Sequence, residues 1–419
     1  MRDSTQVTPD VSQYDPFDAD IHADPDPWFS ALRERCPVHH HTERDFYTVA
    51  RTDDISGILA HPRQWSSKFR NGLTYRAPTD QPMLLDADPP THTWQRRLLQ
   101  KAWTPRYIAL LERRAREIVA RRFDEFVDRG RADYHAEVSG VVPVSMIAEL
   151  VGVPVEDHAR FKAWSDAKVE VTAGTPGAEV AEAVADREVA LYFTAHVAAR
   201  RAAMAAGHDG PEDYTTIMLN ASYEGHSLSD TEVRKVLQLL TLGGIETTTL
   251  LLSNLLHRVV AEPGLAGVLR SAPSWCEYAV EESLRLDSPT LGLFRTPNED
   301  TTVHGLAIPK DTKTMVLFAA VNRDPELWDD PDAFRLDRDP NRLRQHYAFG
   351  HGVHRCLGAP LARLEGKVVL EAITQRLPGV RYVEPPRRLP TMIFRGYDRQ
   401  VVEWRTGVGR SPDPTSSAV

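Results

Sequence analysis

The sequence predicts a mainly α-helical chain, and three observations carry that expectation. Apolar residues recur at spacings of three and four through residues 105 to 225, as in P-R-Y-I-A-L-L-E-R-R-A-R-E-I-V-A-R-R-F-D-E-F-V, the period of helices with one buried face. A second helical pattern runs from Ser229 to about Val260; at about 1.5 Å per residue it would be near 45 Å long, enough to cross a domain. Strand-like runs are short and few: V-H-H-H and F-Y-T-V-A-R flank the turn T-E-R-D, and S-P-T-L-G-L-F-R and T-M-I-F-R-G-Y are extended.

Composition bounds the function. Hydrophobic residues make up 42% and charged residues 26%, the balance of a soluble globular protein. A net charge of −9 argues against nucleic acid as a general partner. The first residues, M-R-D-S-T-Q-V-T-P-D, are polar, and no stretch approaches the roughly 18 apolar residues of a membrane span, so no membrane anchor is expected. Three cysteines (Cys36, Cys276, Cys356) are too few for a disulfide framework, which fits a reducing cytoplasm. Length alone, at 419 residues, suggests two domains.

In chain order, residues 1 to about 24 are rich in Asp and Pro and are expected to lie extended, with 1–15 disordered. P-W-F-S-A-L-R-E-R reads as a short helix, followed by the hairpin. Its triplet His39, His40, His41 does not predict a metal site, because successive strand residues point to opposite faces. From Ser66 to Leu85 the chain is loop-like, with Phe69, Tyr75, Met83 and Leu84 among polar residues. A helix begun by prolines follows and ends near Thr104; His92 and Arg96, four apart, share one face of it, which would read on its own as a solvated basic face. E-V-T-A-G-T-P-G-A-E-V then interrupts the helical pattern.

In the long helix, Ser229 and Glu232 have capping-box spacing. Val233, Leu237, Leu240, Gly244, Thr247 and Leu251 step by three and four and so share a face. Its centre, G-G-I-E-T-T-T, is poor helix sequence: each interior glycine costs about 1 kcal/mol relative to alanine, and threonines add β-branching. Two explanations compete, tight packing against a neighbouring helix, or a groove opened where the Thr247 hydroxyl bonds back to the Gly243 carbonyl. Further on, Glu282 and Arg285 in E-E-S-L-R-L are placed to pair on a helix; on a surface such a pair is worth only about 0–1 kcal/mol. The tail 406–419 is polar and turn-rich, and is expected to be flexible.

The densest chemistry lies at Phe349 to Gly358, F-G-H-G-V-H-R-C-L-G. Gly350 and Gly352 allow tight turns and close approach to a flat object. Cys356 immediately precedes a helical run with Pro360 in its first turn, among free N–H groups at the positive end of the helix dipole, a setting that favours thiolate. A lone cysteine is commonly just a buried small hydrophobe; a glycine-framed thiolate is also what an axial haem ligand requires.

The loop resembles the haem-binding loop of the cytochrome P450 superfamily, with Phe349, Gly350, Gly352, His354, Cys356 and Gly358 all in family positions, and the likeness extends from about Asp15 to Trp404. It implies one domain over 16–405, mainly α with a small β-rich lobe, holding haem b (iron protoporphyrin IX) between the long helix and the cysteine loop. Cys356 would be the axial ligand, with His92, Arg96, Arg295 and His354 on the propionates. Gly243, Gly244, Glu246 and Thr247 match the oxygen-side motif, with glutamate where aspartate is commoner. Leu240, Leu291, Gly292, Leu293, Ile393 and Phe394 would line the substrate pocket, and residues 170–180 would form a mobile lid over it. Glu282 and Arg285 match a buried structural pair whose third member, usually an arginine in P-x-R-F, is replaced by Ala333; Arg335 and Arg338 are the candidates to substitute. The resemblance further implies a soluble bacterial monooxygenase acting with O2 on a hydrophobic small molecule, by hydroxylation, O-demethylation or epoxidation. Electrons would come from NAD(P)H through a separate ferredoxin reductase and ferredoxin. A peroxide-driven peroxygenase and a non-catalytic haem ligand-binding protein are the alternatives.

Overall fold

The computed structural model describes residues 9–70, 72–74, 78–208 and 210–406, and two hydrophobic cores organise them. The larger is helical, built around the central helix Asp230–Ala261, which packs against Val142–Val151, His158–Thr172, Ala178–Ala205 and Ala359–Arg376. The capping box forms: Ser229 Oγ accepts the Glu232 N–H at 3.3 Å, and the Glu232 carboxylate accepts the Ser229 N–H at 2.8 Å. By length and apolar content this helix could cross a membrane, although the sequence suggested that no stretch came close. Here Leu250, Leu252, Leu255 and Leu256 are buried by neighbouring elements, the mark of a core helix that is apolar nearly all round.

The smaller core belongs to a β-rich lobe. Its sheet runs in the order Val38–His41, Phe46–Val49, Lys313–Val316, Leu293–Pro297, Trp65–Ser66. The first two strands form the expected antiparallel hairpin, Val38 opposite Val49. Lys313–Val316 joins it in parallel, and Leu293–Pro297 pairs antiparallel with both its neighbours. Alternation parts the three histidines: His40 stacks on Tyr47 with centroids 4.3 Å apart, while His39 and His41 meet edge-on at 4.6 Å. Among the described residues no group of three His, Cys, Asp or Glu could hold a metal ion.

Two expectations need correction. The N-terminal segment is not extended from residue 9 onward. Val11–Gln13 forms a 3-10 turn and Ala19–Ala23 a short helix, each begun by an aspartate, Asp10 or Asp18, that accepts a backbone N–H two residues on. Tyr14 is buried against Trp28 and His41, so the disorder expected over 1–15 does not extend through residues 9–15; residues 1–8, Tyr75 and the tail from 407 lie outside the described residues. The helix begun at Thr91 ends at Gln100 rather than near Thr104. Thr104 instead caps the next helix, Pro105–Phe126, its hydroxyl accepting the Tyr107 N–H at 3.1 Å ahead of Pro105 in the first turn. The expected interruption falls between His158–Thr172 and Ala178–Ala205, where Gly174 and Gly177 take φ of 72° and 80°.

Candidate active site

The cysteine loop is held by a backbone bond across its base, Cys356 N–H to Phe349 O at 2.9 Å. Gly350 adopts φ 69°, ψ −174°, a conformation essentially confined to glycine. At Gly352 (φ 72°) a Cβ would also lie 2.6 Å from Leu59 O. Gly358 is the N-cap of Ala359–Arg376, whose first turn holds Pro360. Cys356 keeps exposed surface yet lies deep among protein atoms. Burial raises its thiol pKa, against the lowering pull of the Gly358 and Ala359 N–H groups, Arg96 and Arg363. The helix terminus therefore offsets desolvation only in part, and a bound cation at sulfur would favour the thiolate further.

Against this loop stand four cationic or potentially cationic groups. The His92 and His354 rings lie 4.3 Å apart. Burial lowers the His92 pKa to about 4, with Arg96 and Arg295 adding repulsion. Burial, Arg295, His92 and Arg96 press His354 to about 2. Arg295 is 6% exposed, and burial lowers its pKa to about 10; its guanidinium donates to Phe294 O at 2.8 Å. Among the described residues none of the four is in an ion pair with a carboxylate. Asp88, the acid whose charge acts on His92 and Arg295, is engaged by the Ser66 hydroxyl and the Ser67 N–H. Two guanidiniums without a carboxylate partner, Arg295 buried and Arg96 half-buried, beside two neutral imidazoles able to donate hydrogen bonds, fit a ligand that brings its own carboxylates, and Arg96 is near enough to Cys356 to influence its titration. The residues present thus fit haem, a thiol for the iron beside cations for the propionates.

On the central helix the Thr247 hydroxyl donates to Gly243 O at 2.8 Å. Both competing explanations for the weak helix centre hold, at different residues. A Cβ on Gly243 would meet nothing within 4 Å, so that side is open; a Cβ on Gly244 would come 2.7 Å from Ile147 Cδ1, so that side is packed tight. Glu246 is 6% exposed, and burial raises its pKa to about 7.

The pocket candidates divide. Leu240, Leu293 and Phe394 are partly buried, as pocket walls would be. Leu291 and Ile393, each 5% exposed, sit in the β-lobe core, joined by Leu291 N–H to Ile393 O at 2.6 Å. Gly292 is required for packing, since a Cβ there would lie 2.5 Å from Val316 O.

Glu282 and Arg285, both fully buried, form a bidentate pair with two 2.8 Å bonds. Arg338 supplies the third member, Nε to Glu282 Oε1 at 2.9 Å; Arg335 reaches Glu282 only through its backbone N–H. Sequence reasoning missed Glu281 and His346, a buried acid and histidine joined at 3.0 Å. The signal was present in the doubled glutamate of E-E-S-L-R-L and in the histidine opening H-Y-A-F-G.

Comparisons with known proteins agree with this geometry. A family model described as cytochrome P450 matches residues 276–389. The cytochrome P450 monooxygenase PikC of Streptomyces venezuelae is 31% identical over 415 residues, covering 96% of each chain. Among solved structures, cytochrome P450 CYP109Q5 from Chondromyces apiculatus superposes with a TM-score of 0.83 at 30% identity, covering 94% of this chain and 99% of its own. CYP109E1 from Bacillus megaterium, solved in complex with testosterone, reaches 0.79 at 28% identity, covering 91% of this chain and 99% of its own. The chain therefore belongs to the cytochrome P450 superfamily: it is a monooxygenase whose cofactor, haem b, is carried on a cysteine thiolate.

Proposed function

We propose that the protein hydroxylates, O-demethylates or epoxidises a largely hydrophobic small molecule in the cytoplasm, with electrons from NAD(P)H relayed by a separate ferredoxin reductase and ferredoxin. The observation that carries the assignment of the site is the grouping of His92, Arg96, Arg295 and His354, buried or half-buried, with the Cys356 loop. Cys356 is the axial ligand, and the Arg96 and Arg295 guanidiniums with the His92 and His354 imidazoles hold the propionates. When bound, the haem supplies the redox chemistry, its thiolate ligand favouring O–O cleavage.

The chain's own residues bind, orient and deliver protons. The Thr247 Oγ1 proton is held on Gly243 O, leaving the hydroxyl lone pairs free to accept a hydrogen bond on the open side of the helix. Glu246, with a pKa near 7, carries a proton in a substantial fraction of molecules at neutral pH, matched to general acid work there. Leu240, Leu293 and Phe394 offer apolar walls, and the testosterone held by CYP109E1 is the size and polarity of molecule such walls accept. The three free cysteines suit a reducing compartment.

The test is to screen hydrophobic compounds, steroids included, for a shift of the haem Soret band. Those that shift it are then incubated with a surrogate ferredoxin, its reductase and NADPH. A product heavier by one oxygen atom, or its demethylated equivalent, supports the proposal. Binding without any reductant-dependent product favours a non-catalytic haem protein, and product only with added peroxide favours a peroxygenase.

A further inference from the structure

Beside Glu282, Glu281 serves a different element. It is 7% exposed on the helix Trp275–Leu286. Its Oε2 accepts His346 Nε2–H and Arg363 Nη2, both at 3.0 Å, and its Oε1 accepts Arg363 Nε. His346 Nδ1 accepts the Ala348 N–H at 3.2 Å, so the ring proton sits on Nε2 and a neutral His346 donates to the carboxylate. Burial opposes the charge on Glu281, but the bonds from His346 and Arg363 outweigh it and lower its pKa to about 2. Both partners meet one aromatic ring: the Arg363 guanidinium carbon lies 4.6 Å from the Phe349 centroid, and the His346 ring 5.8 Å from it. Phe349 in turn accepts the Cys356 N–H. A single carboxylate thus ties together the helix before the loop, the loop's leading segment of residues 346–349, and the helix after Cys356 that carries Arg363. Between His346 and Gly358 the loop has only two 3-10 turns of its own, so its shape depends on such anchors.

We infer that Glu281 is a positioning residue for the cysteine ligand, fixing Phe349 through His346 and Arg363 and thereby the loop that presents the Cys356 sulfur. The inference rests on Cys356 being the ligand. Without the carboxylate, Arg363 (side chain 25% exposed) turns to solvent, His346 is left with a buried donor unpaired, and the Phe349 ring loses both contacts. A loosened loop lets sulfur take a proton, and a neutral thiol is a weaker ligand.

The experiment compares haem-loaded wild type, Glu281→Gln and Glu277→Gln. Glu277 lies on the same helix and holds Lys367 at 2.6 Å, without reaching Phe349. Reduced protein with carbon monoxide is followed until its red-shifted Soret band converts to the shorter-wavelength band of haem without thiolate, and the ferric–ferrous potential is measured. For Glu281→Gln conversion is expected roughly tenfold faster than wild type, with the potential raised, because a buried negative charge has gone. Glu277→Gln should match wild type. Arg363→Gln and His346→Gln should each give part of the effect, and adding Arg363→Gln to Glu281→Gln should add little; these two single variants carry the test if Glu281→Gln fails to take up haem. Wild-type conversion and potential in Glu281→Gln, or an equal change in Glu277→Gln, overturns the inference. A wild type that lacks the red-shifted band overturns the ligand assignment instead.

Discussion

Arg338 donates from Nε to Glu282 Oε1 at 2.9 Å, completing a buried pair that Glu282 already forms with Arg285. Ala333, in the position where the family usually has an arginine, contributes its carbonyl to both guanidiniums, at 3.0 Å from Arg285 and 3.1 Å from Arg338. The charge has moved five residues along while the anchor point stays. Arg338→Ala should therefore destabilise the protein by about 1–3 kcal/mol, the range for a buried charged group losing a donor. Arg335→Ala should cost under about 0.5 kcal/mol, because its side chain pairs with the exposed Asp330 and Asp337. Urea unfolding of the two variants checks this; equal losses would remove Arg338 from the cluster.

Glu246 gives the protein a dependence on pH. Burial raises its folded pKa from 4.5 to about 7, so the folded state holds a proton that the unfolded chain releases. Below the unfolded pKa both states are protonated and there is no penalty. Stability falls as pH rises through the window from 4.5 to about 7, by up to roughly 3 kcal/mol. Glu246→Gln removes the charge, so its melting temperature relative to wild type should rise from about pH 5 to about pH 8. A constant difference across that range would show that Glu246 titrates normally.

Thr247→Val should leave reduction intact, since the residue packs on the open side of the helix and touches no part of the cysteine loop in the observed bonding. It removes the hydroxyl proposed to order proton delivery. NAD(P)H consumption should continue while product falls and hydrogen peroxide rises. Full coupling of reductant to product would refute the assignment.

Electron delivery predicts a salt-sensitive contact. The cysteine loop, the helix after it and the segment Thr91–Lys101 carry Arg96, Arg97, Lys101, Arg355, Arg363 and Lys367. Arg363 and Lys367 are tied to Glu281 and Glu277, and Arg96 is only partly exposed. Lys101, by contrast, is exposed and donates to Ser222 O at 2.7 Å, so its charge is not neutralised by that bond. Lys101→Glu should slow reduction by an acidic ferredoxin at low salt, with the difference shrinking as ionic strength rises. Equal rates at low salt would remove this face as the docking site.

Legibility in the sequence followed locality. The cap of Ser229 by Glu232, the back-bond from Thr247 to Gly243 and the glycine-framed Cys356 loop each lie within ten residues, where spacing dictates geometry. The split roles of Gly243 and Gly244 were not readable, because only the packing of Ile147 decides between them. Arg338 meets Glu282 across 56 residues, and Arg363 meets Glu281 across 82; no local period marks such pairs. The N-terminal Asp- and Pro-rich segment read as disorder because composition does not reveal that Tyr14 has a site among Trp28, His39 and His41. Nor did the pattern tell that Gly292 lies where a Cβ would meet Val316 O.

The most direct test of the whole account is the absorption spectrum of the reduced protein under carbon monoxide, for wild type and Cys356→Ala. Wild type should show the red-shifted Soret band of thiolate-ligated haem, and Cys356→Ala should lack it, whether or not the variant retains haem. A Cys356→Ala protein that keeps the band would contradict the account, because some other residue would then hold the iron.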